Sequence, residues 1–448
     1  MERRTFIQSI AAGSLLPAAS AGARVPKKTS PIPISATESA VYTSPDPARV
    51  WAYSPGLALL PSGRLVATMD QGGDGVKELP GVKTDAEGRL WDGKIYTSDD
   101  RGKTWQHRSD MPLIHARPFA AGDAVYVIGH KRDLGIMRST DGGETWEEPV
   151  WFSKGEKWHQ APSNVHYTRG RVYLVMEKVL EPNLPYWDVH VMAPVLMSAD
   201  MQDDLSKRES WTFSNELTFN EAIAQHGAPN LIGVPFFNVG SVEAPGSKIK
   251  RPMSPIGWLE TNVVQFVDPD HMWCDPSGRT FHLWARAHTG GSGYACIAKV
   301  VEDEQGALTV SLEQAPSGAT MLYVPCPGGQ MKFHILHDDK TKLYWLLSTQ
   351  STDSMTRPDR LPDHRFNLPN NERQRLVLHF SKNCIDWVFA ARVADTGNFG
   401  QSRHYASMVI DGDDIHVLSR SGDHRAHDAH NGDLITFHTV KDFRDLVY

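Results

Sequence analysis

The sequence predicts an all-β chain closed into a single β-propeller, and three observations predict it. The pattern Ser-x-Asp-x-Gly-x-Thr-Trp occurs intact twice, as Ser98, Asp100, Gly102, Thr104, Trp105 and as Ser139, Asp141, Gly143, Thr145, Trp146. A degenerate copy, Ser381-Lys382-Asn383-Cys384-Ile385-Asp386-Trp387, makes it an internal repeat. Strand-like periodicity dominates, with Gly, Pro, Asn and Asp between the apolar runs. Helical pattern is scarce, confined to residues 215–225 and 440–447. Repeats of several strands each stack as blades around an axis.

Each part of the repeat has a physical job. The Asp accepts hydrogen bonds from backbone N–H groups and closes a turn. The Gly permits positive φ. The Thr and Trp start the next strand, with the indole packed between sheets. The motif therefore argues for architecture and not for a reaction. At roughly 60 residues per blade, the chain after its leader predicts seven blades, with six as the alternative. Residues 56–60 and 64–69 flank a turn at Pro61-Ser62-Gly63 and form the first hairpin. Thr436-Phe437-His438 is expected to pair with an N-terminal strand, because an open ring leaves unpaired edges. Long stretches near 70–92, 178–190, 226–255 and 350–373 are expected to wall one mouth of the funnel.

The N-terminus, Glu2-Arg3-Arg4-Thr5-Phe6-Ile7 and then a small apolar run to Ala21-Gly22-Ala23, has the form of a twin-arginine export signal. The expected organisation is a signal at 1–23, a flexible segment at 24–40 and the propeller at 41–448, with a periplasmic or secreted destination. No later run reaches the length of a membrane span. A net charge of −7 argues against a nucleic-acid partner. The four cysteines are too few for a disulfide scaffold and read as buried thiols, with Cys274–Cys296 the one plausible pair. A monomer is expected.

Propellers bind ligands where inner strands converge, so polar residues at strand ends are the candidates. Among 20 histidines, His115, His130, His159, His166, His271, His288, His334 and His404 stand in polar contexts. Arg403-His404-Tyr405 could neutralise a carboxylate and move protons. Strand alternation puts Arg286 with His288, Lys332 with His334, and Glu260 with Asn262 on shared faces. His424, His427 and His430 recur at three-residue spacing and, with Asp428, could hold a structural zinc or calcium.

The repeat resembles the Asp box of sialidase-like propellers. The chain also resembles the propeller families of ulvan lyases and of rhamnose–glucuronate lyases and hydrolases. That likeness runs through Tyr126-Val127-Ile128-Gly129-His130, His159-Gln160-Ala161-Pro162, Gly170-Arg171-Val172-Tyr173, the stretches 193–211 and 258–263, and Arg286-Ala287-His288-Thr289-Gly290. It implies a seven-bladed propeller whose His, Tyr and Arg residues act on a uronic-acid glycan, with His130 and Tyr173 at the family's His and Tyr positions. The expected site is then His130, His404, Tyr405 and Tyr173 in catalysis. Arg403, Arg286, His288, His334, Lys332, Glu260, Asn262 and His159 hold an acidic polysaccharide or oligosaccharide. The expected reaction is β-elimination. Hydrolysis of the exo-sialidase or α-L-rhamnosidase type is the second reading, because true sialidases carry an Arg-Ile-Pro motif in the first blade where this chain has Tyr53-Ser54-Pro55-Gly56. A non-catalytic glycan-binding propeller is the third.

Overall fold

Six sheets of four or five antiparallel strands dominate the described residues, five of them from successive chain segments and the sixth completed by a strand from the start of the chain. The computed structural model describes residues 38–448 apart from 182, 227–241, 244–251 and 254. The expected export signal at 1–23, most of the segment 24–40 and much of the stretch 226–255 lie outside the described residues. No described helix is long and apolar enough to cross a membrane.

The architecture is a six-bladed propeller, the alternative to the expected seven. The innermost strands are Trp51–Leu59, Ile114–Ala121, Trp158–His159 continued by His166–Thr168, Gly257–Val264, His334–Asp338 and Ser402–Asp411. Dividing chain length by an average blade failed because the inner strands are unevenly spaced. Between those of blades three and four the chain also forms a helix, Phe219–His226, and a two-stranded ribbon. The second expected helix is a short 3-10 turn, Phe443–Leu446.

Closure follows the expected route. Strand Glu38–Thr43 completes blade six by pairing with Leu434–Val440, placing Ser39 opposite Phe437 and Ala40 opposite Thr436. The last blade therefore takes its outer strand from the start of the chain, and no sheet edge faces the ring joint. The repeat motif sits between the third and fourth strands of blades one, two and five. In blade two Asp141 accepts from Thr145 N at 2.9 Å, and Ser139 Oγ accepts from Gly143 N at 2.8 Å. Gly102 and Gly143 take φ of +80° and +87°. In the degenerate copy Asn383 Oδ1 accepts from Ile385 N and Asp386 N, so an amide oxygen replaces the carboxylate.

The core lies between neighbouring sheets. Trp105 of the first motif packs edge-on against Phe437 at 5.4 Å, so that motif also helps close the ring. Cys296, Cys326 and Cys384 are buried thiols in this core, and all four cysteines are unpaired. Near the axis, side chains take over where strands break. Asn164, in the gap of blade three's inner strand, donates to Val263 O (2.7 Å) and Ile335 O (3.0 Å), and accepts from Val263 N (2.7 Å). One residue thus ties blades three, four and five together.

Truncation of Phe437 to Ala is expected to loosen the joint between blades one and six. The expected loss is about 3–5 kcal/mol, read as a lowered urea midpoint with an unchanged m-value.

Candidate active site

The inner strands carry a recurring irregularity that builds the site. In blades one, two, four and six the ladder slips by a bulge, at Tyr53/Gly56, Ile114/Arg117, Leu259/Asn262 and His404/Ser407. The residue at each slip has positive φ: Ser54 +48°, His115 +51°, Glu260 +59° and Tyr405 +51°. None is glycine, so each pays the steric cost of the left-handed region. The bulge turns these four side chains into one cavity at the same end of the ring.

The residue before each bulge faces a polar residue on the second strand. Tyr53 faces Asp70, Ile114 faces His130, Leu259 faces Arg286 and His404 faces Arg420. These partners brace the bulges. Asp70 accepts from His115 N at 2.9 Å. His130 Nε2 lies 3.1 Å from His115 Nδ1. Arg286 Nη1 approaches Glu260 at 3.3 Å and donates to the Tyr405 hydroxyl at 2.5 Å.

The cavity has a volume of about 390 Å³, within the range of small-molecule sites. Tyr405 is its centre. The guanidiniums of Arg286, Arg373 and Arg420 lie 6.0, 5.7 and 5.4 Å from its ring centre, within cation–π range. Each is held from behind. Arg286 Nε donates to Gln330 O at 2.8 Å. Arg373 Nη1 bonds His404 Nδ1 at 3.0 Å, and its Nη2 donates to Asn371 Oδ1 at 3.0 Å. Arg420 donates to His430 O and lies 3.9 Å over the Tyr53 ring. Burial pushes Arg373 down to about 9, which leaves it charged at neutral pH. Burial raises the Tyr405 phenol, while the three guanidiniums pull it back toward ionisation.

The walls come from two of the expected insertions. Phe366, Leu368, Asn370 and Asn371 line one side, from the stretch 350–373, and Trp187 another. Trp187 stands edge-on to His288 at 5.0 Å. His115, His130 and His159 group on the side where blades two and three meet, with ring centres 5.0–5.9 Å apart. Burial pushes His115, His159 and His288 down to about 3, and nearby cations add to the effect at His115 and His288.

Of the residues anticipated from sequence, Glu260, Arg286, His288, His159, Tyr405 and His430 line this cavity, and His130 backs it. The others are elsewhere. His404 is fully buried and bonds Arg373, so it positions an arginine and does not meet the cavity. Tyr173 lies in the core between blades three and four, donating to Glu302 at 2.8 Å. Arg403 pairs with Glu38 across the blade-six joint. Asn262 donates to Phe333 O and accepts from Ile335 N. Alternation paired it with Glu260, but the bulge at Leu259/Asn262 breaks alternation. Lys332 is buried with its amine on Ala406 O and Ser407 Oγ. His334 lines a larger cavity of about 610 Å³ at the other end of the inner strands, walled by aliphatic side chains such as Leu57, Val264, Leu336 and Val409.

His424 is exposed, His427 bonds Asp428, and His430 turns to Arg420. The three do not converge, and among the described residues no group of three or more His, Cys, Asp or Glu side chains is arranged to hold a metal ion. Reading missed Arg373, Arg420, Trp187 and Tyr53. Arg420 had a signal, since it occupies in blade six the second-strand position that Arg286 holds in blade four.

No protein-family model matches this chain, and no curated protein matches it by sequence. Solved structures do match in fold. A Hadza microbial sialidase is 15% identical, over 90% of this chain and 68% of its own, with a TM-score of 0.50. The Penicillium chrysogenum α-L-arabinanase solved with arabinobiose is 12% identical, over 92% and 99%, at 0.47. The intramolecular trans-sialidase of Ruminococcus gnavus, solved with oseltamivir carboxylate, is 12% identical, over 91% and 98%, at 0.48. The chain is distantly similar in fold to sialidase and arabinanase propellers.

Glu177, behind His159, gives a pH test. Burial raises its carboxyl to about 8, against about 4.3 in an unfolded chain. The folded state therefore holds a proton that the unfolded state has lost, and stability falls as pH rises from about 4.5 to about 8. Glu177→Gln is expected to remove this slope. Thermal midpoints of the two proteins should converge near pH 4 and separate by pH 8, the variant melting higher.

Proposed function

We propose that the protein is an exported carbohydrate-active enzyme that cleaves the glycosidic bond of a carboxylate-bearing sugar in an acidic glycan. The observation that carries this is the convergence of three guanidiniums on the Tyr405 phenol, beside the Glu260 carboxyl group. Arginine suits a planar carboxylate, which it binds with paired N–H donors. Among the described residues lining the cavity, three guanidiniums face one carboxyl group, Glu260, with Asp70 and Asp428 farther back, and an anionic sugar would add the missing counter-charge inside the cavity. Trp187 and Phe366 offer apolar faces for the sugar ring.

Hydrolysis through Tyr405 is the reaction this arrangement favours. A phenol is a weak nucleophile unless its oxyanion is stabilised. Arg286 donates into Tyr405 Oη and the other two arginines face its ring, so all three stabilise a phenolate. Glu260, sharing Arg286 Nη1 with the phenol, is placed to accept the phenolic proton. Tyrosine takes the nucleophile's role in sialidases, and the distant likeness of fold is consistent with that chemistry. The arginine absent from the first blade has a counterpart in Arg420, which enters from blade six.

Elimination is the second reading, and one observation favours it. Among the described residues, the cavity presents neutral imidazoles and one carboxyl group, a set able to take the C5 proton of a uronate whose carboxylate the arginines hold. That is the reaction of the ulvan-lyase-like resemblance.

Incubation with glycans containing uronic or ulosonic acids, followed by reducing-end release and absorbance near 235 nm, separates the two. New reducing ends without absorbance are expected. Rising absorbance would overturn hydrolysis in favour of elimination, and silence in both would remove the enzymatic reading. Tyr405→Phe should lower kcat by about 10³-fold with little change in KM, whereas Arg373→Met should mainly raise KM.

A further inference from the structure

Among the described residues lining the cavity, Glu260 is the sole carboxyl group, and it is engaged by Arg286. Hydrolysis with a covalent intermediate needs another group, one that protonates the departing oxygen and later takes a proton from water. Two acidic residues usually share such work; this cavity offers no second one. We propose that His115 is the general acid and base of the reaction, with His130 as its orienting partner. The inference rests on Tyr405 being the nucleophile.

Geometry singles out this imidazole. His115 sits on a left-handed bulge like Tyr405 and Glu260, so its ring is carried into the cavity. Its main-chain N–H is fixed on Asp70 at 2.9 Å. Its Nδ1 is engaged by His130 Nε2 at 3.1 Å, which leaves Nε2 for the cavity. When Nδ1–H donates to His130, Nε2 is the nitrogen that gives and takes the reacting proton. Other polar residues lining the cavity lack this arrangement. The Tyr53 hydroxyl is tied to Asn431. His430 bonds Arg420 and Asn431. His159 has no partner at Nδ1, which lies 4.0 Å from Glu177.

Charge links the proton to the substrate. Arg420 and Lys131 act with burial to favour neutral His115, while Asp70, His130 and His159 surround it. A substrate carboxylate seated on the arginines offsets that field, so binding brings a proton to His115. In the first step the anomeric C–O bond breaks and the His115 Nε2 proton goes to the leaving oxygen. The Tyr405 oxygen forms a bond to the anomeric carbon. In the second step water attacks that carbon, His115 Nε2 takes the water's proton, and the phenolate leaves. The sum is hydrolysis, with both residues restored.

The test is the dependence on leaving group. Wild type, His115→Gln and His130→Gln are compared on 4-nitrophenyl and methyl glycosides of a uronic acid and of a 2-keto-3-deoxy acid. A nitrophenolate leaves without a proton, and an alkoxide does not. His115→Gln should lose about 100-fold or more in kcat/KM on the methyl glycoside and less than about 10-fold in kcat/KM on the nitrophenyl glycoside, whose kcat falls further because the second step also needs His115. His130→Gln, which keeps the acid but not its orientation, should show a smaller split and a displaced pH profile. Equal losses by His115→Gln on both substrates, with an unchanged thermal midpoint, would overturn the role of His115. If His115→Gln unfolds, the absence of any split or pH displacement in His130→Gln overturns it instead. A wild type that cleaves neither class of glycoside would overturn the Tyr405 reading, and this inference with it.

Discussion

The left-handed residue in the middle of an inner strand is the constraint on which the site depends. Four of the six inner strands break their ladder beside one cavity, and at each break a residue with a side chain occupies a region that favours glycine. Such a position costs of the order of 1–3 kcal/mol. Glycine would relieve that cost and leave nothing pointing inward. Ser54, His115, Glu260 and Tyr405 occupy these positions, and all four line the cavity. Strain at these positions is offset by bracing from the second strand. The same local device, repeated around the ring, converts a structural repeat into a set of convergent functional groups.

Electrostatics follows from that geometry. Three guanidiniums taken out of water near one another repel and lose hydration. Burial lowers both Arg373 and Arg420. Arg286 is paired with Glu260, and otherwise the protein compensates with uncharged acceptors: the Gln330 and His430 carbonyls, the Asn371 amide, the His404 ring, and the faces of Tyr53 and Tyr405. Carbonyls and rings hold an arginine without neutralising it, so its charge stays available. This is the reason the neutral histidines behind the cavity belong to its function even where they touch no ligand.

Much of this was legible in the sequence. The repeat motif announced the hairpins and the packing of their tryptophans, Thr436-Phe437-His438 announced the closing pair, and 350–373 announced a wall. Glu260, Arg286, His288, His159 and Tyr405 were named from polar residues at strand ends. Blade number was not legible, because insertions outside the ring consume chain without adding strands. Alternation misplaced Asn262 for a definite reason: a bulge at Leu259/Asn262 reverses the face that follows it. Lys332 and His334 were separated because Lys332 precedes its strand and turns to blade six, while His334 opens to the other mouth. Arg373 and Arg420 were out of reach of local patterns. Arg420 meets Tyr405 through the pairing of two strands of blade six, and Arg373 reaches it from blade five.

The central claim is that Tyr405 and its three guanidiniums form the seat of an anionic sugar. A crystal structure of the protein soaked with a carboxylate-bearing monosaccharide tests it most directly. The account predicts the sugar carboxylate within hydrogen-bond distance of at least two of Arg286, Arg373 and Arg420, with the anomeric carbon facing Tyr405 Oη. A sugar seated in the opposite mouth, or one whose carboxylate points away from all three arginines, would contradict it.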